Sequence, residues 1–291
     1  MRCSLLLSTQ LPRGHGLMCE LLALSANTPT DMTFSFRGLV RRGGVTGDHV
    51  DGWGLASFDP DGHRLRMFRE EAAAAFSPVA ADVSNLALKA HCSIAHIRKA
   101  TQGTVSIENC HPFHRRWHGF DWVFAHNGDL RHGEIPTSTR FSPLGSTDSE
   151  LAFCWIMDEL ASSGVDTRDK DGIFAILIRC ANTLASGGIF NCLFSNGHWL
   201  FVYGGTKLHM LTRRAPFTTA TLADDDVRVD FSQVTTPNDV VTVVSTEPLT
   251  TDEPWRALKS SEALLLVHGE VDRHHESEAA IHCKPPSSPK T

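Results

Sequence analysis

No run of lysines and arginines interrupts this 291-residue sequence, and its net charge is −6 with a pI near 6.2. The chain therefore lacks the basic face that nucleic-acid binding requires, and no nucleic-acid partner is expected. No apolar stretch approaches the ~20 residues that a helix needs to cross a bilayer, so no membrane partner is expected either. No C-x-x-C pair occurs among Cys3, Cys19, Cys92, Cys110, Cys154, Cys180, Cys192 and Cys283. A chain of this length does not depend on disulfide staples, which points to a reducing, cytoplasmic setting. There is no G-x-x-x-x-G-K-S/T loop to cradle a nucleotide, and no cofactor is expected. The sixteen histidines invite a metal reading, through Cys92 with His96 or through His111 with His114 and His118. None of these spacings is a zinc signature, so no metal site is expected.

What is present is a globular pattern, 41% hydrophobic, sufficient for a large core, with no internal repeat and no linker-like break between residues 19 and 268. Residues 1–16 are too weakly apolar for a signal peptide. Order begins at Cys19, with a strand over 19–25, a helix over 34–42, and a hairpin of 52–58 with 64–69 around Asp59-Pro60-Asp61-Gly62. A helix over 78–88 and strands over 91–97 and 122–125 follow. Thr147-Asp148-Ser149-Glu150 has the form of a capping box and predicts a helix to about residue 161. Ile173, Phe174, Leu177, Ile178, Ala181 and Leu184 recur at helical spacing. Strands over 189–194 and 199–203 flank Asn196-Gly197, and further strands are expected at 207–212, 239–246 and 264–267. Strands at both ends with helices between favour an α+β layered fold over a doubly wound sheet. From residue 271 polar residues and proline replace apolar ones, and 271–291 is expected to form a disordered tail.

Four clusters can carry chemistry. Cys19 follows Met18, so removal of the methionine would leave it as residue one. An α-amine of pKa about 7.7–8.0 could then take the proton of a thiol of pKa about 8.5; otherwise Cys19 is an ordinary buried strand residue. Arg98, in His96-Ile97-Arg98-Lys99-Ala100-Thr101, stands at the end of a strand where its fork could grip a carboxylate or form a surface ion pair. Asn127-Gly128, in His126-Asn127-Gly128-Asp129, is either a hairpin turn or a pair of donors converging on a developing oxyanion. Asp148 lies in the first turn of a helix, where it either complements the helix dipole or receives a substrate ammonium.

Taken together and in this order, the clusters resemble those of the class-II, or N-terminal-nucleophile, glutamine amidotransferases, and most nearly the free-standing bacterial proteins that begin Met-Cys-Glu-Leu-Leu. The resemblance runs from Met18 to about Glu270. It is carried further by Ser25-Ala26-Asn27, by residues 38–44 (GLVRRGG), by Asp51-Gly52-Trp53-Gly54, by residues 108–113 (ENCHPF) and by residues 235–243 (TTPNDVVTV). It implies an αββα sandwich, with two stacked antiparallel sheets between helical layers. It also implies that Cys19 attacks the side-chain amide of glutamine to form a thioester, with its own α-amine as base. Asn127 and the Gly128 N–H would form the oxyanion hole, Arg98 with help from Thr101 would hold the substrate carboxylate, and Asp148 would hold its ammonium. Trp53 would shape the pocket as a loop residue. The partners implied are glutamine or another γ-glutamyl amide, and a separate ammonia-accepting synthase subunit, since the chain is too short for a fused one.

A free amine on Cys19 is incompatible with an attached residue 18. Residues 1–18 are therefore expected to be absent from the mature chain, through a start at Met18 or through cleavage, leaving 19–270 as the amidotransferase domain. If they are retained, the chain is a catalytically silent module that binds a metabolite or a partner.

Overall fold

The computed structural model describes residues 18–277; residues 1–17 and 278–291, which include most of the expected extension and tail, lie outside the described residues. The chain begins with β1 (Glu20–Thr30), α1 (Thr33–Arg42), the hairpin β2 (Trp53–Phe58) and β3 (Leu65–Glu70), α2 (Pro78–Val83) and β4 (Ala90–Ile97). Next come β5 (Phe113–Trp117), β6 (Phe120–Leu130) and the helices α3 (Asp148–Ser163) and α4 (Lys170–Ser186). Then follow β7 (Gly188–Ser195), β8 (Leu200–Gly204), β9 (His209–Arg214), β10 (Thr219–Thr221) and β11 (Arg228–Asp230). The last four are β12 (Val240–Ser245), β13 (Arg256–Ala257), β14 (Glu262–Val267) and β15 (Glu270–Glu276).

Two sheets stack face to face. One runs β13-β9-β12-β1-β4-β2-β3 and the other β15-β14-β8-β7-β6-β5, with every ladder antiparallel. The alternation of side chains along a strand sorts the core into three layers. Leu21, Ala23, Ile94, Val123, Ala125 and Val244 fill the space between the sheets. Leu22, Leu24, Ala95, Ile97 and Val243, on the opposite faces of the first sheet, pack against α1 through Phe36 and Leu39. Phe124, Phe190 and Phe194 face Phe153, Leu160, Ile173 and Leu177 of α3 and α4. Each of the Val, Leu, Ile and Phe side chains contributes about 1.5–3 kcal/mol by leaving water. The layer order is the αββα sandwich expected from the resemblance.

Local chemistry explains most boundaries. Thr147 caps α3 by accepting from the Glu150 N–H at 3.2 Å, and Gly164 ends the helix in the left-handed region. Only half of the expected capping box forms, because the Glu150 carboxylate turns to Arg115 at 2.7 Å and to the Gly145 N–H at 2.7 Å. Two expectations are corrected. His126-Asn127-Gly128-Asp129 does not follow a strand but continues β6, paired with residues 189–192 of β7. The tail does not begin at residue 271, because β15 continues the second sheet through Glu276, paired with β14.

Candidate active site

The first-sheet layer facing the second sheet carries the key side chains to one end of the sandwich. Counting by twos from Leu21 and Ala23 places Cys19 on that face, and from Ile94 it places His96 and Arg98. Val123 and Ala125 lead in the same way to Asn127, and Val244 leads to Thr246. Five residues from four strands or strand ends thus converge.

Cys19 is half-buried, immediately before β1. Its Sγ is 3.3 Å from both the carbonyl oxygen and the N–H of Lys99, so it donates to one and accepts from the other. Burial pushes its thiol up to about 11, opposed by the Lys99 backbone and by the positive charge of Arg98, with the negative charge of Asp148 adding to the rise. Both predicted substrate-holding charges are therefore felt at the sulfur. Beside it, Glu20 is buried against the Arg42 guanidinium at 3.0 Å, and burial raises its carboxyl above the ordinary range.

Arg98 is 3% exposed, and its side chain does not form a surface ion pair. Its Nη1 donates to the Thr104 carbonyl at 3.1 Å and its Nη2 to the Gln102 carbonyl at 3.0 Å. The guanidinium therefore gathers the loop that follows β4 around itself. Gln102 fastens that loop across the cleft by donating to Asp129 Oδ1 at 2.5 Å, and Ala100 N–H donates to Asp51 Oδ2 at 2.8 Å. Thr101 is exposed at the outer edge of the same loop.

Asn127 is fully buried, and its Nδ2 donates to Thr246 Oγ1 at 3.1 Å, which also accepts the Leu21 N–H at 2.9 Å. The other amide atom, Oδ1, is buried without a partner. A half-turn of the amide group would let the Thr246 hydroxyl donate to Oδ1 and leave the NH₂ free. Gly128 must be glycine for a reason of packing: a Cβ there would run into the Ile189 carbonyl oxygen. Asp148, buried at the first turn of α3, accepts from the Leu130 N–H at 2.8 Å and the Ser149 N–H at 2.8 Å. Ser149 Oγ in turn lies 2.8 Å from His126 Nδ1, so the helix start and β6 are tied side chain to side chain.

Below Arg98 lies an imidazole pair. His96 and His111 stack with ring centroids 4.2 Å apart, and none of their four ring nitrogens has a hydrogen-bond partner. Burial first, and then the neighbouring cationic groups, holds both well below the ordinary histidine range, so they are neutral. The residues considered as metal ligands are otherwise dispersed: Cys92 Sγ pairs with Ser195 Oγ at 3.3 Å, and His114 with Asp121 at 2.8 Å.

Trp53 is not the loop residue that the resemblance implied. It is the first residue of β2, 0% exposed, packed on Phe36 at 5.8 Å in the layer between the first sheet and α1, and its Nε1 donates to Glu70 at 3.0 Å. Its flanking glycines serve close packing instead: a Cβ on Gly54 would strike the His111 carbonyl, and one on Gly52 would crowd Cys110 Sγ. Sequence reasoning passed over Thr246, Gln102, Asp51 and His49. Thr246 carries no signal of its own, and only the extension of strand alternation past residue 245 points it into the cleft.

The family model described as class-II glutamine amidotransferases matches residues 18–290. The Escherichia coli K12 protein named putative glutamine amidotransferase YafJ is 45% identical over 254 residues, covering 87% of this chain and 99% of that protein. A Haemophilus influenzae protein with the same family name is 42% identical, over 87% of this chain and 86% of its own. Among solved structures, a predicted glutamine amidotransferase from Pseudomonas aeruginosa superposes with a TM-score of 0.69 at 39% identity, over 88% of this chain and 100% of that one. A class-II domain protein from Silicibacter pomeroyi, at 17% identity and a TM-score of 0.51, shares the fold.

Proposed function

The chain belongs to the class-II glutamine amidotransferase family, and from that premise we propose that it hydrolyses the side-chain amide of glutamine to glutamate and ammonia through a thioester on Cys19. The observation that carries this reading is the placement of the Cys19 thiol on the Lys99 peptide, one residue from the buried Arg98 guanidinium and near enough to the buried Asp148 carboxylate to feel its charge, two opposite charges suited to the head of an amino acid. A substrate held at its carboxylate and ammonium would present its amide in one orientation, and orientation of this kind supplies much of the barrier reduction in acyl transfer.

In the chain that begins at Cys19, the thiol proton passes to the α-amine as sulfur attacks the amide carbon. The oxyanion receives hydrogen bonds from the Asn127 side chain, turned toward the cleft, and from the Gly128 N–H. Collapse breaks the carbon–nitrogen bond, the leaving nitrogen takes the proton from the ammonium, and ammonia departs. Water, deprotonated by the same amine, then attacks the thioester and releases glutamate and the thiol. While residue 18 is attached the Cys19 nitrogen is an amide and cannot act as base. Removal of residues 1–18 is therefore part of the proposal, and the tail beyond β15 has no role in it.

Arg98 acts with its carbonyl partners partly displaced by the substrate carboxylate, and Thr101 closes over the same group. An ammonia-accepting enzyme in the cytoplasm would be the partner that makes use of this product. The test is ammonia release from glutamine, and from γ-glutamyl peptides, by chains beginning at Cys19 and at Met1. Release by the first alone, abolished by at least about 10³-fold in Cys19→Ala, is the expected result. Full activity in Cys19→Ala overturns the mechanism. Peptide cleavage without glutamine hydrolysis transfers the mechanism to a γ-glutamyl peptide substrate and removes the need for an acceptor.

A further inference from the structure

His49 belongs to neither the substrate clamp nor the oxyanion hole, yet it is 1% exposed and stands against the peptide unit that precedes the nucleophile. Its Nε2 is 2.8 Å from the Met18 carbonyl oxygen. That oxygen and the Cys19 nitrogen share one planar peptide, so Nε2 lies within about 5 Å of the atom that becomes the α-amine. The other ring nitrogen, Nδ1, is buried with no hydrogen bond.

The loop from Gly43 to Gly52 is shaped around this ring. A Cβ on Gly47 would lie 2.8 Å from His49 Nδ1 and 2.6 Å from the Arg42 carbonyl, so only glycine leaves the ring its place. The loop is pinned at its far end to the strand that carries Arg98, through Asp51 N–H to the Arg98 carbonyl at 3.1 Å and Arg98 N–H to the Gly52 carbonyl at 2.7 Å. The ionisable groups around the ring come from three elements. Asp48 Oδ1 of its own loop is 4.0 Å from Nδ1, and Asp48 also pairs with Lys99 at 2.6 Å. Glu20 of β1, neutralised by Arg42, and His96 of β4 both lie near enough to feel a charge on His49. While residue 18 is attached, Nε2–H donates to the Met18 carbonyl oxygen; once that oxygen is gone, the proton can sit on Nδ1, toward the Asp48 carboxylate 4.0 Å away, and the Nε2 lone pair then faces the chain terminus.

We propose that His49 is the positioning residue for the Cys19 α-amine. Once residue 18 is gone, the amine donates one N–H to Nε2, its rotation stops, and its lone pair points at Sγ. The inference rests on Cys19 being an N-terminal nucleophile, but it concerns the amine and the thiol alone and so can be tested without glutamine.

The experiment compares wild type, His49→Ala, His49→Gln and His49→Asn, all beginning at Cys19. The readout is the rate of Cys19 alkylation by iodoacetamide against pH, a neutral probe that does not need the Arg98 and Asp148 clamp. Loss of the oriented amine should move the reactive limb up by about one pH unit in His49→Ala, a roughly tenfold slower alkylation at pH 7. His49→Gln, whose amide reaches the Nε2 position, should recover most of the rate, whereas His49→Asn, which reaches only as far as Nδ1, should not. With glutamine, kcat should fall in parallel while KM stays within about twofold. An unchanged alkylation profile in His49→Ala overturns the proposal, as does equal rescue by Asn and Gln, which marks a purely structural ring. A shifted alkylation profile in a protein that releases no ammonia from glutamine upholds the role of His49 and rejects the glutaminase.

Discussion

The two ends of the same sandwich are finished in opposite ways. At one end β1, β4, β6 and β12 deliver Cys19, Arg98, Asn127 and Thr246; the last three are buried, Arg98 is answered by the carbonyls of the loop that follows it, and Cys19, Asn127 and Thr246 are answered by groups far away in sequence. At the other, the turns after β2, β7 and β14 close by local backbone chemistry: Gly62 N–H donates to the Asp59 carbonyl at 2.7 Å, and Gly62, Gly197 and Gly269 take positive φ. That end also has a cavity of about 260 Å³ beside His91, His198 and His268, but His198 and His268 are exposed to water. A turn hydrated by solvent costs little, whereas a buried polar group without its partner costs about 1–3 kcal/mol. The lesson is that changes at the Cys19 end should cost function, and stability as well where they strand or charge a buried polar group, whereas changes at the turn end should cost a little stability and no function.

The sharpest test of that division is Asn127→Ala, which should lower kcat for ammonia release about 10²–10³-fold with little change in KM; steady-state kinetics with glutamine would show it, and a loss confined to KM would contradict it. Next is the acid response of the histidine pair beneath Arg98. His96 and His111 are neutral in the fold, while the unfolded chain protonates them below about 6.5, so the unfolded state binds more protons there. Stability should be level above neutrality and fall by about 1.4 kcal/mol per pH unit for each histidine as the pH drops below about 6.5. Urea melts between pH 7.5 and 5.5 would show the slope, and His111→Leu should reduce it by about half. A flat response would mean the pair is protonated in the fold. A smaller effect is expected from Asp148→Asn, which removes one charge of the clamp and should raise KM about tenfold with kcat less affected. At the turn end, Gly62→Ala, at φ +72° and with a Cβ 3.0 Å from His198, should cost about 1 kcal/mol of stability and leave kcat unchanged. A drop in kcat there would erase the contrast between the ends.

Much of this was legible beforehand. Periodicity located α1, α3 and α4, and alternation located the central strands of both sheets. It failed at β10, β11 and β13, which are two or three residues long, and at β5 and β15, which are polar edge strands whose backbone pairs on one side only. It cut β6 short at Ala125 because Asn-Gly is a turn signal in isolation, and only pairing with β7 keeps those residues extended. The hairpin reading of residues 52–58 put Trp53 on a strand, where it is, whereas the loop role implied by the resemblance did not hold, because its flanking glycines let the segment around His111 approach that strand.

The sequence by itself determined the element types, the inward faces and the set of reactive side chains, because helix and strand periods and turn chemistry are properties of neighbouring residues. Only the tertiary structure decided that Lys99 would touch Cys19 across 80 residues, that Thr246 would hold Asn127 across 119, and that His49 would reach the peptide before the nucleophile. Those contacts join strands that are adjacent in a sheet or stacked across the core while remote along the chain, and no local period records which strand ends will meet.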